Sequence, residues 1–327
     1  MYRRLLVPLD GSRLAETVLV VIERLAAVYK ATVVLLHVIE RGAPATVHGE
    51  RHLRTAAEAQ TYLEGLAARL SAGGIAVETH AHDVPEGDVA RSIVAHAEEG
   101  GADLIALCTH GGGGLRGLLV GSIAQQVLRR GTAPVLLTRP DPSGGASDPL
   151  RGYPVSGGHA SPAGSERPFA PRIVLVPLDG TAAAEVALAP AQDVARHLGA
   201  ALRLVMVVAT LGTVRGERQA LAQALPMATR AELDLEGEDA RRYLDGVVDR
   251  LRAGGTVVTA EVRRGNTLSA LAAEATKAGV GLVVMATHGR AGVQAIWAGS
   301  VATRLLARTR VPILLLRMIE ADDRSAP

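Results

Sequence analysis

Leu6-Val7-Pro8-Leu9-Asp10-Gly11-Ser12 returns late in the chain as Leu175-Val176-Pro177-Leu178-Asp179-Gly180-Thr181, an apolar run closed by Asp and Gly in both places. A second pair of segments follows in the same order: Thr109-His110-Gly111 with Gly121-Ser122, then Thr287-His288-Gly289 with Gly299-Ser300. Two motifs repeated in order make the chain a duplication, and every other residue can be read against its twin. The stretch between the motifs is about nine residues longer in the second copy, so the additional residues lie mid-domain.

Each copy alternates two kinds of segment. In the first, residues 4–9, 32–38, 75–81, 104–108 and 135–138 are short β-branched or leucine-rich runs, suited to strands buried on both faces. Residues near 13–29, 52–71, 87–99 and 121–130 space their Ala, Leu and Val as helices do. Gly73-Gly74 and Gly254-Gly255 stand where a helix C-cap glycine belongs. Such alternation implies a parallel sheet with right-handed crossovers. The expected fold is therefore α/β, a doubly wound five-stranded parallel sheet of order 3-2-1-4-5 with helices on both faces, formed twice. The expected domains are residues 1–140 and 172–320. Between them, residues 141–171 are rich in Pro, Gly and Ser without periodicity, cannot bury enough apolar surface to offset ordering entropy, and read as a disordered-like linker.

Composition narrows the classes. The 327 residues are 48% hydrophobic and 21% charged. No apolar run approaches the roughly 20 residues of a membrane-spanning helix, so no membrane partner is expected. The opening apolar stretch breaks at Pro8 and Asp10, too soon for a secretory signal, and a cytoplasmic location is expected. Cys108 is the single cysteine, which excludes an internal disulfide and a cysteine-cluster zinc site. A net charge of +2 and 2% aromatic residues give little for nucleic acid to bind.

In open parallel sheets, ligands bind beyond the carboxyl ends of the strands where strand order reverses. Asp10-Gly11-Ser12 follows the first strand and the glycine loop 111–114 follows the fourth, so both face one crevice, and the second copy repeats the arrangement. The loop ends at Gly121-Ser122, directly before a helical run. Glycines let backbone N–H groups approach phosphate oxygens, and a helix N-terminus adds partial positive charge. Ser122 and Ser300 could donate hydroxyls to phosphates or serve as N-caps. Two other motifs fail: Gly112 to Gly117 matches the dinucleotide fingerprint but follows the fourth strand and is not repeated at 290–292, and no lysine precedes Ser122 or Ser300 as a Walker loop requires.

These residues resemble the universal stress proteins, whose ATP-binding branch carries glycine, two residues, glycine, nine residues, then glycine with serine or threonine. Gly111 is followed by residues 112–120 and Gly121-Ser122; Gly289 by 290–298 and Gly299-Ser300. The resemblance spans both repeats, includes Pro8 to Ser12 and the strand ending His37-Val38, and implies tandem Rossmann-like, adenine nucleotide alpha hydrolase-like domains. It implies that Asp10 and Asp179 bond the adenosine part, that the backbone near Val38 and Val207 meets adenine, and that Gly111, Gly121, Ser122, Gly289, Gly299 and Ser300 hold phosphates. Pro8, Gly11, Ser12 and Thr109, with Pro177, Gly180, Thr181 and Thr287, complete the expected nucleotide-binding set. The first glycine of the pattern is replaced by Cys108 in one copy and Ala286 in the other.

The cofactor implied is ATP, or ADP or AMP, with magnesium on its phosphates, in a stress-response regulatory protein. A nucleotide-free interaction module and a slow ATPase stay open as alternatives. No catalytic residue is assigned, since His110 and His288 have no acidic partner or nucleophile at recognisable spacing. No metal site is assigned to side chains: His80 and His82 would share a strand face, but the second copy has Glu261 and Arg263 there. Cys108 reads as a packing residue and Arg116 and Arg290 as surface groups. The resemblance also implies pairing through the last strand, here 135–138 and 313–316, hence an intramolecular pseudo-dimer. A further homodimer and an unidentified regulatory protein partner remain open.

Overall fold

The computed structural model describes residues 2–40, 46–47, 50–84, 88–109, 121–139, 169–287 and 301–317. The expected linker up to residue 168, His110, Gly111, Arg116, His288, Gly289, Arg290, Gly299 and Ser300 lie outside the described residues.

The first copy runs β1 (Arg4–Pro8), α1 (Arg13–Glu16), α2 (Leu19–Tyr29), β2 (Thr32–Glu40), the short β3 (Thr46–Val47) and β4 (Glu50–Arg51), α3 (Ala56–Ala72), β5 (Ala76–Val84), α4 (Val89–Glu99), β6 (Leu104–Cys108), α5 (Ser122–Arg130) and β7 (Val135–Thr138). The second runs β8 (Ile173–Leu178), α6 (Ala182–Glu185), α7 (Leu188–Leu198), β9 (Ala201–Val208), α8 (Glu217–Ala224), α9 (Pro226–Ala253), β10 (Val258–Arg264), α10 (Thr267–Ala275), β11 (Val280–Thr287), α11 (Val301–Leu306) and β12 (Ile313–Arg317). The strands stand in the order β5-β2-β1-β6-β7 and β10-β9-β8-β11-β12, parallel within each copy, which is 3-2-1-4-5 twice. β7 and β12 pair antiparallel with Leu136 opposite Leu314, joining the copies into one ten-stranded sheet.

Unbroken apolar strands need cover on both faces, and they have it. Leu5 and Val7 enter a core that runs across both copies beneath α2 and α7, while Leu6 points to the opposite face, beneath α4 and α5. All three are essentially inaccessible. Among the described residues no helix is long and apolar enough to cross a membrane.

The structure alters three boundaries. The segment expected as one helix over 13–29 is divided at Thr17 and Val18, whose N–H groups donate to carbonyls three residues back; the Thr17 hydroxyl donates to the Leu14 carbonyl and tightens the turn. The helix expected from residue 52 begins at Ala56, because Thr55 accepts from the Glu58 N–H and caps it there. The third strand continues to Val84 because β2 supplies partners as far as Glu40. The glycine pairs do close helices, with the second member, Gly74 or Gly255, taking the left-handed conformation. The longer second copy carries α8 and the 28-residue α9 where the first has the β3–β4 hairpin and the 17-residue α3.

Candidate functional site

The crevice begins with a proline. Thr32 N–H donates to the Arg3 carbonyl and Leu9 N–H to the Leu36 carbonyl, so the odd residues of this strand turn their backbone to β2 and the even ones to β6. Pro8 is an even residue with no N–H to offer, and the β1–β6 pairing stops at Leu6 opposite Ile105. Pro177 holds the same place in β8, whose pairing with β11 stops at Leu175 opposite Val283. The sheet therefore parts between its first and fourth strands at their carboxyl ends.

The turn after each first strand is built identically. Asp10 Oδ1 accepts from the Ser12 N–H at 2.9 Å and the Ser12 hydroxyl at 2.6 Å, and that hydroxyl accepts from the Ala15 N–H at 3.2 Å. Asp179 Oδ1 accepts from the Thr181 N–H at 3.0 Å and hydroxyl at 2.6 Å, and Thr181 accepts from the Ala184 N–H at 3.2 Å. Gly11 at φ 87° and Gly180 at φ 83° supply the reversal that a side chain would strain. Ser12 and Thr181 thus cap α1 and α6, and Ser12 is fully buried. Their hydroxyls are occupied by the fold, whereas Asp179 is exposed and Asp10 half-buried at the rim.

The second strand outruns the first. Even residues of β2 face β1, and Val38 is the next even residue after Leu36, beyond the end of β1. The Leu9 carbonyl, which would continue the ladder, accepts from His37 Nδ1 at 2.8 Å instead. In β9, Ala201 N–H donates to the Arg172 carbonyl, so Val207 likewise faces β8 past its last partner, Met206 opposite Leu178. Both valines bring backbone groups to the crevice.

On the far wall, Thr109 is buried and gives both its N–H and its hydroxyl to the Thr138 carbonyl, pinning the end of β6 to β7. Thr287 ends β11 opposite Arg317. Cys108 and Ala286 are extended strand residues paired with Thr138 and Leu316, so replacing glycine costs no backbone strain there. Cys108 packs against the core with its Sγ 3.4 Å from the Thr17 hydroxyl. Gly121 rather than Ser122 is the N-cap of α5; it makes no side-chain cap bond, and Ser122 is the exposed first helical residue. Among the described residues no side chain caps the first N–H groups of α5.

Two residues at the first crevice, Leu53 and His52, carried no local signal, and His37 entered only as part of a strand end. Leu53, ahead of α3, lies 3.0 Å from where a Cβ on Gly11 would stand, so it covers the Asp10 turn. His37 is buried with its ring 6.3 Å from that of His52, and burial holds it below the usual imidazole range despite the Leu9 carbonyl. The second copy has Met206 in place of His37, with its Cε 3.5 Å from the Cβ position of Gly180.

Residues 1–139 and 171–317 match the profile of the family described as the Universal stress protein family. The universal stress protein YxiE of Bacillus subtilis is 28% identical over 151 residues, covering 42% of this chain and 100% of its own length. A universal stress protein of Methanocaldococcus jannaschii is 27% identical over 158 residues, covering 42% of this chain and 96% of its own. Among solved structures, a universal stress protein from Archaeoglobus fulgidus covers 96% of this chain and 98% of that one, with a TM-score of 0.64 and 21% identity, a likeness of fold.

Proposed function

The chain belongs to the universal stress protein family, and from that premise we propose that each repeat binds an adenine nucleotide in the crevice between its first and fourth strands. ATP with magnesium is the expected ligand, and the bound state biases the protein toward its regulatory partners in a stress response. One observation carries the reading: both copies part the sheet at a proline, hold an aspartate on the rim by the same two hydrogen bonds to a helix-capping hydroxyl residue, and extend the second strand past the first. The turns also cap α1 and α6, but the parted sheet and the longer second strand recur with them in register in both copies.

The roles follow from the chemistry of each part. Asp10 and Asp179 each spend Oδ1 on the turn, which orients the carboxylate to accept ribose hydroxyls. The backbone of Val38 and Val207 reads the base edge. The start of α5, lacking a side-chain cap, takes phosphate oxygens, favoured by its N–H groups and helix dipole. Gly111, Gly289, Gly299 and Ser300 are proposed as further phosphate contacts on the pattern of the sequence alone.

Thermal unfolding tests the ligand class. Magnesium with ATP at about a hundredfold excess over its dissociation constant should stabilise a site by about 2.7 kcal/mol, and magnesium with triphosphate alone by much less. No rise in melting temperature with any adenine nucleotide would overturn the proposal.

A further inference from the structure

We propose that His80, His82 and His96 form a binding site for a divalent transition metal ion, zinc in the first instance, at the outer edge of the first copy. β5 is the edge strand of the sheet, and residues two apart on a strand share a face. His80 and His82 share the face toward His96 of α4, whose ring centre is 4.6 Å from that of His82 and 6.2 Å from that of His80. His96 Nδ1 is 3.1 Å from the Ser92 carbonyl, which can only accept, so the proton sits on Nδ1 and the Nε2 lone pair is left for a metal. A ligating histidine is commonly held in this way, with its second nitrogen donating to a backbone carbonyl. His80 Nε2 stands 3.9 Å from Glu78 Oε2, and Glu78 is itself clamped by Arg4 through two bonds of 2.9 and 2.7 Å.

The second copy supplies the contrast. By strand register and helix capping, Glu261 and Arg263 stand where His80 and His82 do, and Glu274 stands where His96 does. There Arg263 is paired with the buried Glu274, which also receives Lys277 at 2.8 Å and Arg203 at 3.7 Å. One copy ties its edge strand to the adjoining helix with ion pairs. The other gathers three imidazoles at the same place, and three neutral nitrogen donors suit zinc, nickel or copper. Among the described residues no three such side chains already surround a single point, so binding requires the rings to turn. His80 and His82 are exposed, and exposed side chains change rotamer within nanoseconds. The ion would then join β5 to α4 as the Arg263–Glu274 pair joins β10 to α10.

The test is calorimetric titration of zinc chloride into the full chain, stripped of metal and nucleotide, alongside His82→Gln and His96→Gln variants shown to be folded by circular dichroism. Saturable binding of one zinc, weakened about tenfold or more in either variant, is the expected result. Nitrogen-detected histidine spectra of the wild-type chain, which do not depend on the variants folding, should show the three ring signals moving together with zinc. Absence of saturable binding, binding unchanged in both variants, or shifts confined to other histidines would overturn the site.

Discussion

Lys30 and Gly199 occupy the same place, the residue that ends α2 and α7, and both are left-handed, at φ 53° and φ 67°. Glycine enters that region freely, whereas lysine meets its own Cβ against the following carbonyl, a cost of about 1–2 kcal/mol. Lys30→Gly should therefore raise the stability of the chain by about 1 kcal/mol in chemical denaturation, and Gly199→Lys should lower it by a similar amount. Equal stability in the two variants would show that the side chain is held by contacts that offset the strain. At this scale the Asp-Gly-Ser and Asp-Gly-Thr turns were legible in the sequence, because a short carboxylate followed by glycine and a hydroxyl residue is local turn chemistry. Leu53 and His52 were not. What makes them part of the crevice is the packing of a distant segment over Gly11, and no spacing in the sequence encodes that contact.

The start of α5 is where structure and function pull in opposite directions. Gly121 has φ −53° and ψ 144°, open to any residue, and among the described residues a Cβ there would meet nothing within 4 Å. Glycine is itself an acceptable N-cap, so Asp at such a position adds only about a few tenths of a kcal/mol. Gly121→Asp should stabilise the nucleotide-free protein by about a few tenths of a kcal/mol while weakening ATP binding at the first site, since the carboxylate would occupy and repel where phosphate is proposed to bind. Denaturation and nucleotide titration of the same variant check both halves, and unchanged affinity would remove phosphate from the start of α5. Elements were largely legible: β6 and β7 fall on the residues their apolar runs indicate. Boundaries failed where a side chain decides them, at Thr17 and Thr55, because a single hydroxyl bond can divide or start a helix without altering the apolar pattern.

Across the whole molecule, the two copies are bound by more than the β7–β12 ladder. Arg139 donates to the Leu306 and Ala307 carbonyls at the end of α11, and Arg317 donates to the Arg129 and Gly131 carbonyls at the end of α5. Each last strand thus lends a cation to the negative end of the other copy's last helix. Tyr29 stacks on His197 at 4.1 Å and donates to Asp193 at 2.7 Å, closing the opposite face between α2 and α7. Arg139→Ala with Arg317→Ala should lower stability by about 1 kcal/mol for each arginine; a double variant as stable as the parent would assign the junction to apolar packing alone. The duplication itself was the most legible feature, since it needs only motif identity, whereas pairing through the last strands was expected only from the family resemblance. Each copy is proposed to hold an adenine nucleotide at its own crevice. In isothermal titration of ATP with magnesium into the parent chain and an Asp10→Ala, Asp179→Ala double variant, two saturable sites lost in the variant are expected, while no binding to the parent, or binding the variant retains, would contradict it.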